Sequence, residues 1–87
     1  MKHNLSALSI DEIGIVKDVI DSPIKRRLLD LGLTKGTHVK KLIGNISKSI
    51  YAYLIRNTLI AIRNEDAETV ILEVDSFELW KNYSISW

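Results

Sequence analysis

Only one stretch of this sequence carries a helical pattern with a signal at each end, and it is short. Ser22 is a good N-cap and Pro23 suits the first helical position. Ile24, Leu28 and Leu31 recur at i, i+4 and i+7 and make one apolar face. Gly32 follows where a helix ends in a left-handed residue, and Leu33 is placed to fold back onto the last turn. Lys25, Arg26 and Asp30 point away from the apolar face, toward water.

The remaining apolar segments read as strands. Ile13 to Ile20 forms one, with Ile13, Ile15, Lys17 and Val19 on one face and Val16 and Ile20 on the other. Gly14 marks a bulge or a close backbone approach at its start. Thr34-Lys35-Gly36-Thr37 is a turn, with Gly36 at positive φ. A second strand runs from His38 to Ile43, with Val39, Lys41 and Ile43 on one face, and Gly44 to Ser49 reads as a polar loop. Ile50 to Arg56 is rich in β-formers, Asn57-Thr58 suits a hairpin turn, and Leu59 to Arg63 follows as a fourth strand. Asn64 is placed to cap a second short helix with Glu65, Asp66 and Glu68 in its first turn, and Val70 to Val74 gives a last strand. A chain of 87 residues holds one small domain. Five short strands without a long helix predict a small, strongly bent β-barrel, because closure hides strand edges. The domain is expected over residues 1–74. Residues 75–87 form an aromatic C-terminal extension with Phe77, Trp80, Tyr83 and Trp87.

Charge and composition exclude several functions. Twelve basic against eleven acidic side chains leave a net charge of +1, too little for general attraction to nucleic acid or an anionic membrane. The absence of cysteine removes disulfide, zinc-ribbon, iron–sulfur and thiol-nucleophile chemistry. No apolar run reaches the length of a bilayer span. No Gly-rich phosphate loop or serine elbow is present, so the chain is not expected to be an enzyme.

The residues left as candidates suit a binding surface. Lys25-Arg26-Arg27 is the sole basic run and would suit an acidic partner, with Arg27 otherwise able to pair with Asp30. Tyr51 and Tyr53 share one strand face, as barrel cover or as a shallow aromatic platform for a peptide. His38 and His3 are weak metal candidates, since no i, i+4 partner stands beside either. The aromatic tail is expected to cover apolar surface on its own barrel, with a homodimer contact as the alternative.

Several segments together resemble the FeoA family, small accessory proteins of bacterial ferrous iron transport. They are Leu5-Ser6-Ala7-Leu8, Glu12-Ile13-Gly14-Ile15-Val16, and Ile24 through Thr37 with its Arg-Arg-Leu-x-Asp-Leu-Gly-Leu-x-x-Gly pattern. Ile55-Arg56, Leu59 to Arg63 and Glu65-Asp66-Ala67 complete the match. Leu28, Asp30, Gly32 and Gly36 carry its signature. The resemblance implies an SH3-like barrel and a cytoplasmic adaptor for an FeoB-type membrane GTPase transporter. It also implies weak transition-metal binding, of Fe2+ among others, with no cofactor required. A metal-responsive regulatory module and a generic SH3-like protein-interaction module are the alternatives. Three positions depart from the family: Asp11 stands where Gly is usual, Asn57 replaces a Gly, and Ile46 to Ile50 replaces a Pro-x-Gly-Asp-Pro turn.

Overall fold

Strand β1 (Ile13–Val19) leads through Pro23 into α1 (Lys25–Asp30) and then β2 (His38–Ser47), β3 (Ile50–Ile55) and β4 (Thr58–Arg63). A single turn of helix, α2 (Asn64–Ala67), precedes β5 (Val70–Leu72), and a 3-10 turn, Leu5–Ala7, precedes β1. The structure is a computed structural model describing residues 4–47 and 49–73. The strands form one antiparallel sheet in the order β4-β3-β2-β1-β5. Among the described residues no ladder joins β4 to β5. Instead α2 packs on β4, and the N-terminal turn packs on both α2 and β5. The fold is the expected small barrel-like, mainly β domain. The sheet itself stays open, however, and the gap is covered by a helix and a turn, with an isolated bridge from Asn4 to Ile71.

The core lies inside this bend. Val16, Val39, Tyr53, Ile55, Val70 and Leu72 are buried from the sheet, Leu28 and Leu33 from the α1 region, and Leu5 and Leu8 from the N-terminal segment. Gly14 is a close-approach glycine, since a Cβ there would stand 2.7 Å from Leu72 Cδ1. The bulge expected near it lies further on: the β1–β5 register shifts between Val16 and Asp18. That shift inverts the alternation, so Val16 and Val19 are both buried while Ile13 and Ile20 are exposed.

Local chemistry moved several boundaries. Ser22 does not cap α1. Its carbonyl accepts from Lys25 N–H in a turn with Pro23 at the second position, the helix begins at Lys25, and Ile24 is the N-cap without a side-chain bond. Ser22 Oγ is buried without a partner among the described residues. The C-terminal end follows expectation. Gly32 has φ +107°, and Leu33 N–H donates to Leu28 O while Gly32 N–H donates to Leu29 O, the paired bonds of a Schellman cap. Asn64 opens α2 and does not cap it; Arg63 is the N-cap, again without a side-chain bond. The β3–β4 turn is Arg56-Asn57, with φ of +50° and +65°, one residue earlier than Asn57-Thr58. Both central residues at positive φ make a primed turn, which matches strand twist. Strand β2 continues through Ser47, where a loop was expected from Gly44. Register shifts against β3 after Lys41 and after Ile43 take up the extra residues.

Candidate functional site

The basic run sits on α1, and α1 is held from beneath by Leu28, which is 2% exposed. Ile24, Leu29 and Leu31 pack against the core from its flanks and are only half-buried. Arg26 is exposed as expected and Arg27 is exposed as well, whereas Lys25, expected to point to water, is half-buried, so its stem contributes cover as well as charge. Asp30 is exposed, and among the described residues it makes no ion pair with Arg27. The expected Arg27–Asp30 pair is not formed, and the two guanidinium groups of Arg26 and Arg27 remain open to a partner.

The fold adds a cation that sequence reasoning left out of the site. Arg56, at the tip of the β3–β4 turn, reaches the connection after α1. Its Nε donates to Gly32 O at 3.4 Å, and its Nη2 donates to Thr34 Oγ1 at 3.0 Å and Thr37 Oγ1 at 3.3 Å. Arg56 is exposed, so one guanidinium ties two distant segments together and stays in contact with water. Nothing in the spacing of Arg56 signals this; only the hairpin brings it within reach. Gly36, at φ +89°, makes the turn in which Thr34 and Thr37 lie 3.1 Å apart.

The tyrosine pair divides. Tyr51 is half-buried and packs against the core, whereas Tyr53 is fully buried. Tyr53 therefore presents no face to a partner, because the sheet bends over its ring. Burial, with Tyr51 as a smaller cause, pushes the Tyr53 hydroxyl up to about 12. That hydroxyl has no hydrogen-bond partner among the described residues.

Lys41 lies beneath the same face and is only 5% exposed. Its Nζ donates to Leu8 O at 2.9 Å and Ser6 O at 3.3 Å, and stands 4.1 Å from the Tyr51 ring centroid and 5.9 Å from that of Tyr53. Desolvation lowers its pKa from the ordinary lysine value. The ammonium is satisfied by carbonyls and a ring face, so it fastens the N-terminal turn to the sheet. Its partners, Ser6 and Leu8, are 35 and 33 positions away in sequence. Sequence reading placed Lys41 on the Val39 face but could not identify those partners.

His38 is exposed on the outer side of β2, paired with Ile15. His3 lies outside the described residues, as does the aromatic extension 75–87. Among the described residues no three histidines, cysteines or carboxylates gather to hold a metal. Among them, too, no helix is long and apolar enough to cross a membrane.

The family model described as the FeoA domain matches residues 3–74. A crystal structure of Stenotrophomonas maltophilia FeoA complexed with zinc is similar at 28% identity and TM-score 0.74, covering 84% of this chain and 92% of that one. That protein is described as an SH3 domain protein and proposed as a bacterial ferrous iron transport activating factor. A solution structure of FeoA from Chlorobium tepidum is similar at 29% identity and TM-score 0.69, covering 84% of this chain and 69% of that one. A manganese-dependent transcriptional repressor shares the fold at 13% identity and TM-score 0.72, with 82% of this chain and 36% of that chain covered. No curated protein matches the sequence at a significant level.

Proposed function

The chain belongs to the FeoA family, and from that premise we propose that it is a cytoplasmic accessory protein of ferrous iron uptake that docks on the cytosolic part of an FeoB-type GTPase transporter. The observation that supports docking is the α1 surface. A helix fixed by Leu28 and closed by the Gly32 cap holds Arg26 and Arg27 open to solvent, without intramolecular acidic partners among the described residues. An acidic surface on the transporter would complement them. The adaptor would act by binding one state of the transporter more tightly than the other, since only differential affinity moves such an equilibrium. Exposed charges contribute little each and are screened by salt, so the contact is weak and salt-dependent. The role needs no catalytic residue. Nor does docking of this kind require a resident metal.

The test is binding of the transporter's cytosolic part to the wild-type chain and to a Lys25→Glu/Arg26→Glu variant at low and high salt. The variant should keep its melting temperature and lose affinity at least tenfold at low salt. Equal affinity at low salt would leave α1 a solvated face. The second reading, a metal-responsive module, draws on the zinc-bound relative. Calorimetric titration of the wild type and a His38→Ala variant with zinc and ferrous iron separates the two readings. Saturable one-to-one heat that depends on His38 would favour the metal reading.

A further inference from the structure

The outer face of the sheet carries a row that crosses four strands and is apolar except at Lys40. Paired residues of an antiparallel ladder share a face. Ile13 pairs with Lys40, Lys40 with Leu54, and Leu54 with Leu59. The neighbouring row is Ile43, Ala52 and Ala61, and Ile50 pairs with Arg63 beyond it. Three of the large exposed hydrophobics fall on this face: Ile13 at 52%, Ile43 at 51% and Leu59 at 57%. They come from three different strands, and the bend that hides Tyr53 and Ile55 turns them outward. Large exposed apolar side chains gathered on one face mark an interaction surface, and Lys40 in the same row adds a cation to it.

We propose that the occupant of this face is the chain's own C-terminal segment, residues 74–87, laid across β1, β2, β3 and β4. Direction, reach and chemistry support that choice. Strand β5 runs antiparallel to β1, with Val16 opposite Leu72, and Glu73 N–H donates to Ile15 O at 2.8 Å. The chain therefore leaves the described domain travelling toward Ile13, where the row begins. From β1 to β4 is three inter-strand spacings, roughly 14 Å. Fourteen residues reach about 20 Å even when wholly helical and about 46 Å when extended. The segment carries Phe77, Leu79, Trp80, Tyr83, Ile85 and Trp87 to meet the isoleucines and leucines, and Asp75 and Glu78 to meet Lys40 and Arg63. The family match stops at residue 74, so this cover is an addition to the shared domain. It is separate from the α1 surface proposed for the transporter.

Both tryptophans of the chain, Trp80 and Trp87, lie in this segment, so intrinsic tryptophan emission of the intact protein reports on it alone. The native chain should emit to the blue of the denatured chain and resist acrylamide quenching. Leu59→Lys should move the emission back to the red while far-UV circular dichroism is unchanged. Ile43→Lys, on another strand, should do the same and decides the matter if the first variant fails to fold. Ile20→Lys, just beyond the opposite end of β1, should leave emission as it is. Native emission at the denatured position would overturn the proposal, and so would blue emission indifferent to Leu59 and Ile43. A blue shift lost on dilution, with light scattering showing a dimer dissociating, would assign the face to a second copy and overturn it as well.

Discussion

At the residue scale, a few side chains hold conformations that most residues avoid. Asp11 has φ +71° and Asn57 φ +65°, at two positions where the resemblance read from the sequence implies glycine. Aspartate and asparagine tolerate the left-handed region better than other side chains, so the backbone path survives the loss of both glycines. Gly32 has no such substitute. At φ +107° a Cβ would also come within 3.0 Å of the Arg56 side chain, so Gly32→Ala should destabilise by about 1 kcal/mol or more in urea unfolding. The buried polar pair beneath the sheet makes stability depend on alkaline pH. Lys41 has a lowered pKa in the fold, so the unfolded chain holds that proton more tightly. Its contribution is complete above the unfolded value of 10.5 and is lost as pH falls through the lowered one. Tyr53 is opposite in sign: its contribution is complete below 10.0 and is lost as pH rises through about 12. Unfolding free energy should therefore rise as pH approaches 10 and fall beyond it. Lys41→Met should remove the rise and Tyr53→Phe the fall, in urea melts taken at intervals from pH 7 to pH 11. At pH 7, Tyr53→Phe should change stability by less than about 1 kcal/mol, since the hydroxyl it removes has no partner among the described residues.

At the element scale, α1 is anchored by one fully buried side chain. Leu28→Ala should cost roughly 2–5 kcal/mol, as truncation of a buried leucine does. Leu31→Ala should cost less, because Leu31 is half-buried and lies at the helix end. Equal losses for the two in denaturant unfolding would show that the helix rests on its C-terminal turn as much as on its middle. The Schellman cap was legible because its signal is a single glycine in a fixed place. The N-terminal end of α1 was not, because Ser-Pro suits a turn as well as a cap, and the competition is settled by where the chain leaves β1. The β3–β4 turn moved by one residue for a similar reason. Arginine gives no local signal for positive φ, and its conformation is held by bonds to Gly32, Thr34 and Thr37 across the fold.

At the scale of the whole molecule, the described domain presents two distinct surfaces, a basic helix and an outer sheet face with exposed apolar side chains. Binding through the first should weaken as salt rises from about 50 to 300 mM, because the Debye length over which exposed pairs are screened shortens from about 14 Å to about 6 Å; isothermal titration against the transporter's cytosolic part at the two concentrations checks it. Affinity unchanged by salt would show that the exposed charges of α1 do not carry the contact. The strands, the short helix, the positive φ at Gly32 and Gly36 and the family itself were all determined by sequence alone. Each depends on side-chain periodicity, backbone permissiveness or a local motif, which act over a few residues. The tertiary structure alone decided that Lys41 is buried under Tyr51 against the carbonyls of Ser6 and Leu8, that Arg56 clamps the turn after α1, and that Tyr53 is core and not platform. It also decided that Ile13, Leu54 and Leu59 stand in one row. Those outcomes depend on register and on the bulges that shift it. A displacement of one residue reverses which face a side chain occupies, and that displacement is set by partners distant in the chain.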